Sequence, residues 1–270
     1  MPPDDLAAAI VRLTGSVPQR LRPAGGDLSE VYAASLADGA EVIVKTGALT
    51  VEEAGMLRAI AASGCPAPRV IGAEPGVIVM SRLAAGGQPG RAAWAGFGAA
   101  LRRLHDTTGT DHGWPQDHAF GRVAIPNAPA SDWPAFWAER RLMAAPSALS
   151  ADISTRVERL AARLPELLPG HPAPSLLHGD LWAGNVLWGP GGFSGVIDPA
   201  CYYGHAEVDL AMLQLFGRIG NGFCDGYGVA EPGEAERRPV YQLWPALVHL
   251  RLFGAGYLGM VERLLEAAGA

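Results

Sequence analysis

The chain has 270 residues, 49% of them hydrophobic and 18% charged, which allows a sizeable core and is typical of a globular rather than a disordered protein. A net charge of −6 disfavours a nucleic-acid partner, because phosphate backbones select basic surfaces, and three scattered cysteines are too few for a disulfide framework or a zinc cluster. Apolar runs stay shorter than the about 20 residues of a membrane span. The first residues, Met1 to Asp5, lack a signal-type sequence, so we expect a cytoplasmic protein without a membrane partner.

The first 82 residues predict a small β-rich lobe. Apolar periodicity and caps give, in chain order, a helix at 4–13, strands at 31–36 and 41–46, a helix at 50–62, and strands at 69–72 and 77–80. Asp38-Gly39 is a hairpin signal between the first two strands. Residues 81–87 end in two glycines, and we expect them to form a linker.

The remainder of the chain predicts a larger, mainly helical lobe. Helices are predicted at 91–106, 132–143, 152–168, 206–216, 234–253 and 256–268, with a β-rich stretch at 175–197. Pro239 and Pro245 are expected to kink or divide the helix that contains them, since proline removes a backbone donor. The predicted class is therefore α+β with two lobes: a β-rich N-lobe with one key helix, residues 1–82, and a helical C-lobe, residues 83–270.

Three polar side chains near the middle of the chain point to phosphoryl transfer. Asp180 and Asn185 are separated by four residues, the spacing of a kinase catalytic loop, and Asp198 follows beyond a turn that two short apolar strands flank. The reaction needs a carboxylate that takes the acceptor's proton, and an amide and a second carboxylate that hold Mg²⁺ on the ATP phosphates. We therefore predict that Asp180 is the catalytic base and that Asn185 and Asp198 are metal ligands, although no Phe-Gly follows Asp198.

Lys45 is the single lysine among 21 basic residues, on a predicted strand of the N-lobe. A kinase needs one such cation on the nucleotide phosphates, paired with an acid on the next helix. Glu53 is the favoured acid, and Glu52 is the alternative. Glu53 also stands three residues after Thr50, so it could instead complete a capping box at the start of that helix.

Two further positions are assigned to the nucleotide. Gly25 and Gly26 open a glycine turn, Gly25–Ser29, whose backbone N–H groups could cover the phosphates, although such a pair also occurs in ordinary turns. Met80 ends the last strand of the N-lobe and is placed in the same site. Nucleotide binding is thus expected in residues 1–82, and the catalytic loop, the metal site and the acceptor site in residues 83–270.

In these residues and the segments around them, the chain resembles the fructosamine kinase family, which is related to aminoglycoside phosphotransferases and choline kinases. Two segments carry most of the resemblance: His178–Asn185, which includes Trp182, and the longer Asp198–Met212. Shorter matches lie at Gly25-Gly26, Lys45, Phe120-Gly121, Pro126-Asn127, Trp133, Phe136 and Arg140–Leu142. The similarity covers nearly the whole chain.

The resemblance implies a protein-kinase-like fold and transfer of the ATP γ-phosphate to the 3-hydroxyl of a ketosamine, which could be a fructosamine, ribulosamine or erythrulosamine adduct. It also implies that the product is unstable, so the sugar leaves and the amine is restored, which is deglycation. On physical grounds Trp182 either packs the loop or contacts the sugar ring, and the resemblance favours sugar contact. His205 and Glu207, at the start of a predicted helix, are further candidates for substrate contact. The expected partner is a small-molecule or protein-bound ketosamine. The preferred sugar and the oligomeric state stay open.

Several other side chains are expected to have structural roles. We expect His178 to brace the catalytic loop and Asp209 to accept backbone N–H bonds from it. The arginine pairs Arg140-Arg141 and Arg237-Arg238 are expected on solvated helix faces.

Two other functions are possible on the sequence alone. One is a kinase of the same fold that acts on an aminoglycoside or an amino alcohol. The other is a non-catalytic nucleotide-binding module. Such a module would be expected to lose at least one of the residues that the reaction needs, and all four are present: Lys45, Asp180, Asn185 and Asp198.

Overall fold

The computed structural model of the protein describes residues 3–26, 29–144 and 149–270, so Asp27 and Leu28 of the predicted glycine turn lie outside the described residues. The elements up to residue 106 are α1 (Pro3–Thr14), β1 (Pro18–Gly25), β2 (Glu30–Leu36), β3 (Glu41–Gly47), α2 (Thr50–Ala62), β4 (Val70–Glu74), β5 (Gly76–Ser81) and α3 (Arg91–Asp106). Those that follow are β6 (His118–Phe120), β7 (Val123–Ile125), α4 (Trp133–Trp137), α5 (Ala151–Leu167), β8 (Ser175–Leu177), β9 (Val186–Gly189), β10 (Gly192–Val196), β11 (Tyr202–Gly204), α6 (Glu207–Leu215), α7 (Phe223–Tyr227), α8 (Glu234–Phe253) and α9 (Leu258–Ala267).

Strands β1 to β5 form one antiparallel sheet in the order β1-β2-β3-β5-β4. Helix α1 covers one face, where Ile10 packs with Val44 of β3. Helix α2 covers the other face, where Leu57 packs with Ile78 of β5. Side chains alternate along a strand, so Lys45, one position after Val44, lies on the face that α2 covers. The predicted layout, strands first and helices afterwards, is confirmed.

Strand β1 is the strand of the five-stranded sheet that the sequence analysis does not predict. It lies at the edge of the sheet, and nearly all of its side chains are exposed, Arg20 and Arg22 among them. An edge strand that buries so little has no alternating apolar pattern, and that pattern is the signal by which a strand is predicted. Its position next to β2 follows from backbone pairing, with Leu21 opposite Ala34.

The helical part of the chain has its own apolar core. Buried residues of α4, α5, α6, α8 and α9 form one cluster. Helix α8 runs without a break through Pro239 and Pro245, so these prolines do not divide it, and a kink stays a prediction. Val240, Tyr241 and Leu247 are buried on it, and this packing outweighs the hydrogen bonds that the prolines remove.

The contacts within the chain define two compact units. The first comprises Met1–Leu101, Gly184–Pro199 and Asn221–Gly226, and the second comprises Arg102–Ala183, Ala200–Gly220 and Tyr227–Ala270. In the first unit, rings pack the hairpin β9–β10 against α3: Trp94, Phe97, Trp188, Phe193 and Phe223. The division of function between residues 1–82 and 83–270 stays a prediction. Within the described ranges, no helix is both long enough and apolar enough to cross a membrane.

Candidate active site

Lys45 lies between two carboxylates of the first unit. Its Nζ donates to Glu53 Oε1 at 3.0 Å and to Asp198 Oδ1 at 2.9 Å. The Lys45 and Glu53 side chains are only 14% and 10% exposed, whereas Asp198 is 47% exposed. The acid that pairs with Lys45 is therefore Glu53 rather than Glu52. This is the cation–acid pair that a kinase uses to hold nucleotide phosphates, and that role stays a prediction.

The electrostatics of this cluster keep Lys45 cationic. Burial by itself lowers the pKa of Lys45, but the charges of Glu53 and Asp198 outweigh it and bring the pKa above its ordinary value. For Glu53, burial raises the pKa, and the attraction to Lys45 only partly offsets that rise. The ammonium group is therefore available at neutral pH for an anionic ligand.

The start of α2 explains why Glu53 is free to pair with Lys45. No capping box forms: Leu49 is the N-cap residue, and its side chain makes no capping bond. The hydroxyl of Thr50 instead donates to Glu74 O at 2.8 Å and accepts from Gly76 N at 3.1 Å. The predicted competing role of Glu53 is thus wrong, because Thr50 ties the helix to the β4–β5 turn instead.

This arrangement predicts the effect of Thr50→Val, which keeps the shape of the side chain and removes its hydroxyl. Thr50 is 2% exposed, so the variant leaves the Glu74 carbonyl and the Gly76 N–H without this partner at a partly buried site. We expect a loss of about 1–3 kcal/mol in the free energy of unfolding, measured by urea denaturation. Thr50→Ser retains the hydroxyl and is the control. An equal loss in both variants would show that methyl packing, not hydrogen bonding, holds the start of α2.

Asn185 and Asp198 meet at one end of the β9–β10 hairpin. Val186 pairs with Val196, and Ile197 N donates to Asn185 O at 3.0 Å, so the residues that flank the two strands are neighbours. Carboxylate and amide oxygens are the hard donors that Mg²⁺ prefers, so this donor pair fits a nucleotide-bound magnesium ion. The metal role of both residues stays a prediction.

Asp198 also has an unusual backbone. Its φ of 54° is the single positive value among the non-glycine residues that the structure describes. An L residue in this left-handed region stores strain, which tends to persist at functional positions. The strain directs a carboxylate toward Lys45 immediately after the hairpin.

The remaining nucleotide candidates differ in their surroundings. Gly25 lies opposite Val31, which itself lies opposite Lys45, so the glycine turn begins at the same end of the sheet as Lys45. At Gly26, φ is 112° and a Cβ atom would lie 2.1 Å from Ser29 O, so only glycine fits. Met80 is 5% exposed and packs in the core beside α2. Nucleotide contact by these three residues stays a prediction.

The predicted catalytic loop lies in the second unit and follows β8. His178 is fully buried, and its Nδ1 accepts from Asp180 N at 3.3 Å, which confirms the expected bracing role. Gly179 has a φ of 80°, and a Cβ atom there would lie 2.0 Å from Ala200 O, so the loop requires glycine at this position. The loop presents Asp180 as a partly exposed side chain, and its role as the base stays a prediction.

Asp209 anchors this loop from α6. Its carboxylate accepts from His178 N at 2.7 Å and from Gly179 N at 3.0 Å, and it is fully buried. The expected role of Asp209 is thus confirmed. The same carboxylate lies 3.1 Å from His105 Nε2, a contact that the sequence analysis does not predict.

The acceptor candidates are not equally accessible. Trp182 is 38% exposed, two residues after Asp180. Glu207 is buried, and both of its oxygens accept from Arg237, at 2.7 and 2.5 Å. His205 is buried and bonded through Nδ1 to Tyr241 Oη at 2.8 Å. Trp182 is thus the best placed of the three for a ligand, and substrate contact by all three stays a prediction.

The His205 region also contains an ion-pair network. One ring nitrogen of His205 and one carboxylate oxygen each of Glu207 and Glu231 lie within 4.8 Å of one another. Burial lowers the pKa of His205 to about 4, so its ring is neutral at physiological pH. Arg237 neutralises Glu207 and occupies both of its oxygens. The expected solvated position of Arg237 is therefore wrong, and its pairing makes a structural role the simplest account of Glu207.

Arg141 is a second arginine that the sequence analysis misplaces. It is 2% exposed, in a π-helical segment after α4, and its guanidinium lies 4.1 Å from the Tyr202 ring centre and 4.8 Å from that of Phe136. It donates to Pro126 O at 2.7 Å and to Asn127 Oδ1 at 2.9 Å. Periodicity could not show this, since an arginine on an amphipathic helix normally faces water.

The chain was compared with known proteins. The model of the fructosamine kinase family matches residues 17–268. A probable ketoamine kinase of Enterococcus faecium is 32% identical over 259 residues, covering 90% of this chain and 92% of the relative. A probable ketoamine kinase of Thermus thermophilus is 32% identical over 253 residues, with the same shares of 90% and 92%.

Solved structures give the same result. The crystal structure of a candidate fructosamine-3-kinase from Thermobifida fusca is 33% identical, with a TM-score of 0.88 over 98% of both chains. An amicoumacin kinase in complex with AMP-PNP and Ca²⁺ is 15% identical, with a TM-score of 0.67 over 99% of this chain and 93% of that one, and so shares the fold alone. The predicted protein-kinase-like fold is thereby confirmed. The match over nearly the whole chain shows that this protein is a kinase and belongs to the fructosamine kinase family.

Proposed function

We propose that this enzyme transfers the γ-phosphate of ATP to the 3-hydroxyl of ketosamines. The observation that carries the proposal is the match to fructosamine kinases along residues 17–268, in a chain that keeps Lys45, Asp180, Asn185 and Asp198. The paired ammonium of Lys45 supports it, and so does the carboxylate of Asp180, whose backbone N–H donates to His178, because each suits one half of the reaction.

On the nucleotide side, Lys45 binds the phosphates and Glu53 holds the ammonium in place. Asn185 and Asp198 supply amide and carboxylate oxygens for Mg²⁺. The metal, when bound, neutralises the charge that develops on the transferring phosphate. Backbone N–H groups of the glycine turn cover the phosphates. The positive charge of Lys45, which its two neighbours sustain, favours this binding at neutral pH.

On the acceptor side, Asp180 takes the proton of the 3-hydroxyl as the oxygen attacks. A bond forms between the sugar oxygen and the γ-phosphorus, and the bond from that phosphorus to the bridging oxygen breaks, so ADP leaves. Asp209 holds the backbone before Asp180 through two N–H bonds, which limits the movement of the base. Trp182, exposed two residues later, offers a flat surface to the sugar. The phosphorylated product is unstable and decomposes in water, so the sugar leaves and the amine is restored, which completes deglycation.

A panel of acceptors tests the proposal. ATP consumption is measured with a ribulosamine, a fructosamine, an aminoglycoside and choline, each at equal concentration, with the unmodified amine as the control. We expect turnover with the ketosamines alone. Turnover with the aminoglycoside or choline, and none with either ketosamine, would contradict the proposal and show that the enzyme is an aminoglycoside or amino-alcohol kinase.

Within ketosamines, we predict a preference for ribulosamines, and for erythrulosamines, over fructosamines. This preference rests on the family resemblance, and sterics allow it: one additional hydroxymethyl unit must either fit or clash beside Trp182, and a pocket discriminates such a unit by about 1–3 kcal/mol. The measurement is kcat/KM for ribulose and fructose adducts of the same amine. Equal values, or a higher value for the fructosamine, would contradict the preference and leave the kinase reaction in place.

A further inference from the structure

A buried chain of hydrogen bonds links the catalytic loop to Tyr227. Asp209 accepts from the backbone of His178 and Gly179, and its Oδ2 lies 3.1 Å from His105 Nε2. On the other side of the same ring, His105 Nδ1 lies 2.7 Å from the hydroxyl oxygen of Tyr227. Asp209 is fully buried and His105 is 1% exposed, so neither exchanges these partners for bulk water.

The donors of this chain can be assigned from chemistry. A carboxylate only accepts, so His105 must carry its proton on Nε2, facing Asp209. In a neutral imidazole the other nitrogen, Nδ1, is then an acceptor, and Tyr227 must donate to it. In this tautomer, the hydroxyl of Tyr227 is therefore the hydrogen-bond donor to Nδ1 of His105.

Packing holds Tyr227 in the position that this donation requires. Its ring meets the His105 ring edge to face, with centres 5.6 Å apart, and the Arg102 guanidinium lies 5.1 Å from its centre. Tyr227 is 8% exposed. Burial raises the pKa of Tyr227, so its hydroxyl keeps the proton that it donates.

We propose that Tyr227 is a positioning residue for phosphoryl transfer: by donating to His105 Nδ1 it holds the neutral, Nε2-protonated ring against Asp209, and thereby fixes the backbone of the catalytic loop. The inference rests on the proposed role of Asp180 as the base. Tyr227 touches neither the acceptor nor the nucleotide; it acts through His105 and Asp209. Removal of its hydroxyl leaves a buried nitrogen without its donor and lets Asp209 and the loop shift, and such shifts of a base slow the chemical step.

The test is Tyr227→Phe, with Tyr257→Phe as the matched control. Tyr257 is half-buried in an aromatic group with His249 and Phe253, away from this chain of bonds. We expect Tyr227→Phe to lower kcat roughly tenfold while KM for ATP is unchanged, the effect of one lost buried hydrogen bond. Amide hydrogen exchange at His178 and Gly179 should be faster. The control should leave kcat and both exchange rates at wild-type values.

A second measurement does not depend on a variant. In ¹⁵N NMR spectra of the wild-type protein, we expect His105 to be neutral with its proton on Nε2. A doubly protonated ring, or a proton on Nδ1 alone, would overturn the inference. So would wild-type kcat and unchanged exchange in folded Tyr227→Phe. A failure of the proposed function is distinguishable, because wild-type enzyme would then phosphorylate no ketosamine.

Discussion

Asp180→Asn is expected to reduce kcat by about 10²–10⁴-fold and to leave ATP binding close to that of the wild type, since a positioned general base contributes this much to a proton transfer. Asparagine has nearly the same shape and cannot take the proton of the acceptor. The loop should stay folded in the variant, because Asp209 still accepts hydrogen bonds from the N–H groups of His178 and Gly179.

The measurement is steady-state turnover with a ketosamine, alongside nucleotide affinity by calorimetry. Asp152→Asn, at an exposed position in the first turn of α5, is the matched control and should keep full activity. If Asp180→Asn turns over at the wild-type rate, another group is the base.

Lys45→Arg is expected to yield a folded protein whose kcat/KM is lower by about 10²–10³-fold, the usual cost of one misplaced electrostatic contact in an active site. Lys45 Nζ lies within 3.0 Å of oxygens on both Glu53 and Asp198. A planar guanidinium is longer and bonds through a fixed fork, so it cannot replace a compact ammonium that contacts two acids and the phosphates at once.

The control for this change is Arg82→Lys, at an exposed ion pair with Glu41, which should leave kcat/KM unaltered. Thermal denaturation of both variants separates loss of fold from loss of catalysis. A fully active Lys45→Arg enzyme would show that the single lysine of the chain reflects composition and not a requirement of the site.

The sequence predicted those parts of the fold and site that depend on local pattern. Lys45 on a strand and Glu53 on the next helix follow from periodicities of two and 3.6 residues, and their pairing follows because α2 packs on the face that carries Lys45. Asn185 and Asp198 flank a hairpin with a clear turn signal, so their proximity is also a local property.

What could not be predicted depends on partners far apart in the chain. The Thr50 hydroxyl bonds the β4–β5 turn, 24 and 26 residues away, and His105 bonds Tyr227, 122 residues away. Such pairs leave no periodic signal in one sequence. The burial of Arg141 could not be predicted for a similar reason. Three oxygen atoms and the rings of Phe136 and Tyr202 replace the water that normally surrounds an arginine side chain.

The position of the phosphate on the product tests the proposed reaction most directly. A ribulosamine labelled with ¹³C at carbon 3 is incubated with ATP, and the mixture is followed by ¹³C and ³¹P NMR before the product decomposes. We predict phosphorus coupling at the labelled carbon, one ADP for each product molecule, and neither signal with Asp180→Asn. Phosphate on another hydroxyl, or ADP formed without any phosphorylated ketosamine, would contradict the assignment of this enzyme as a ketosamine 3-kinase.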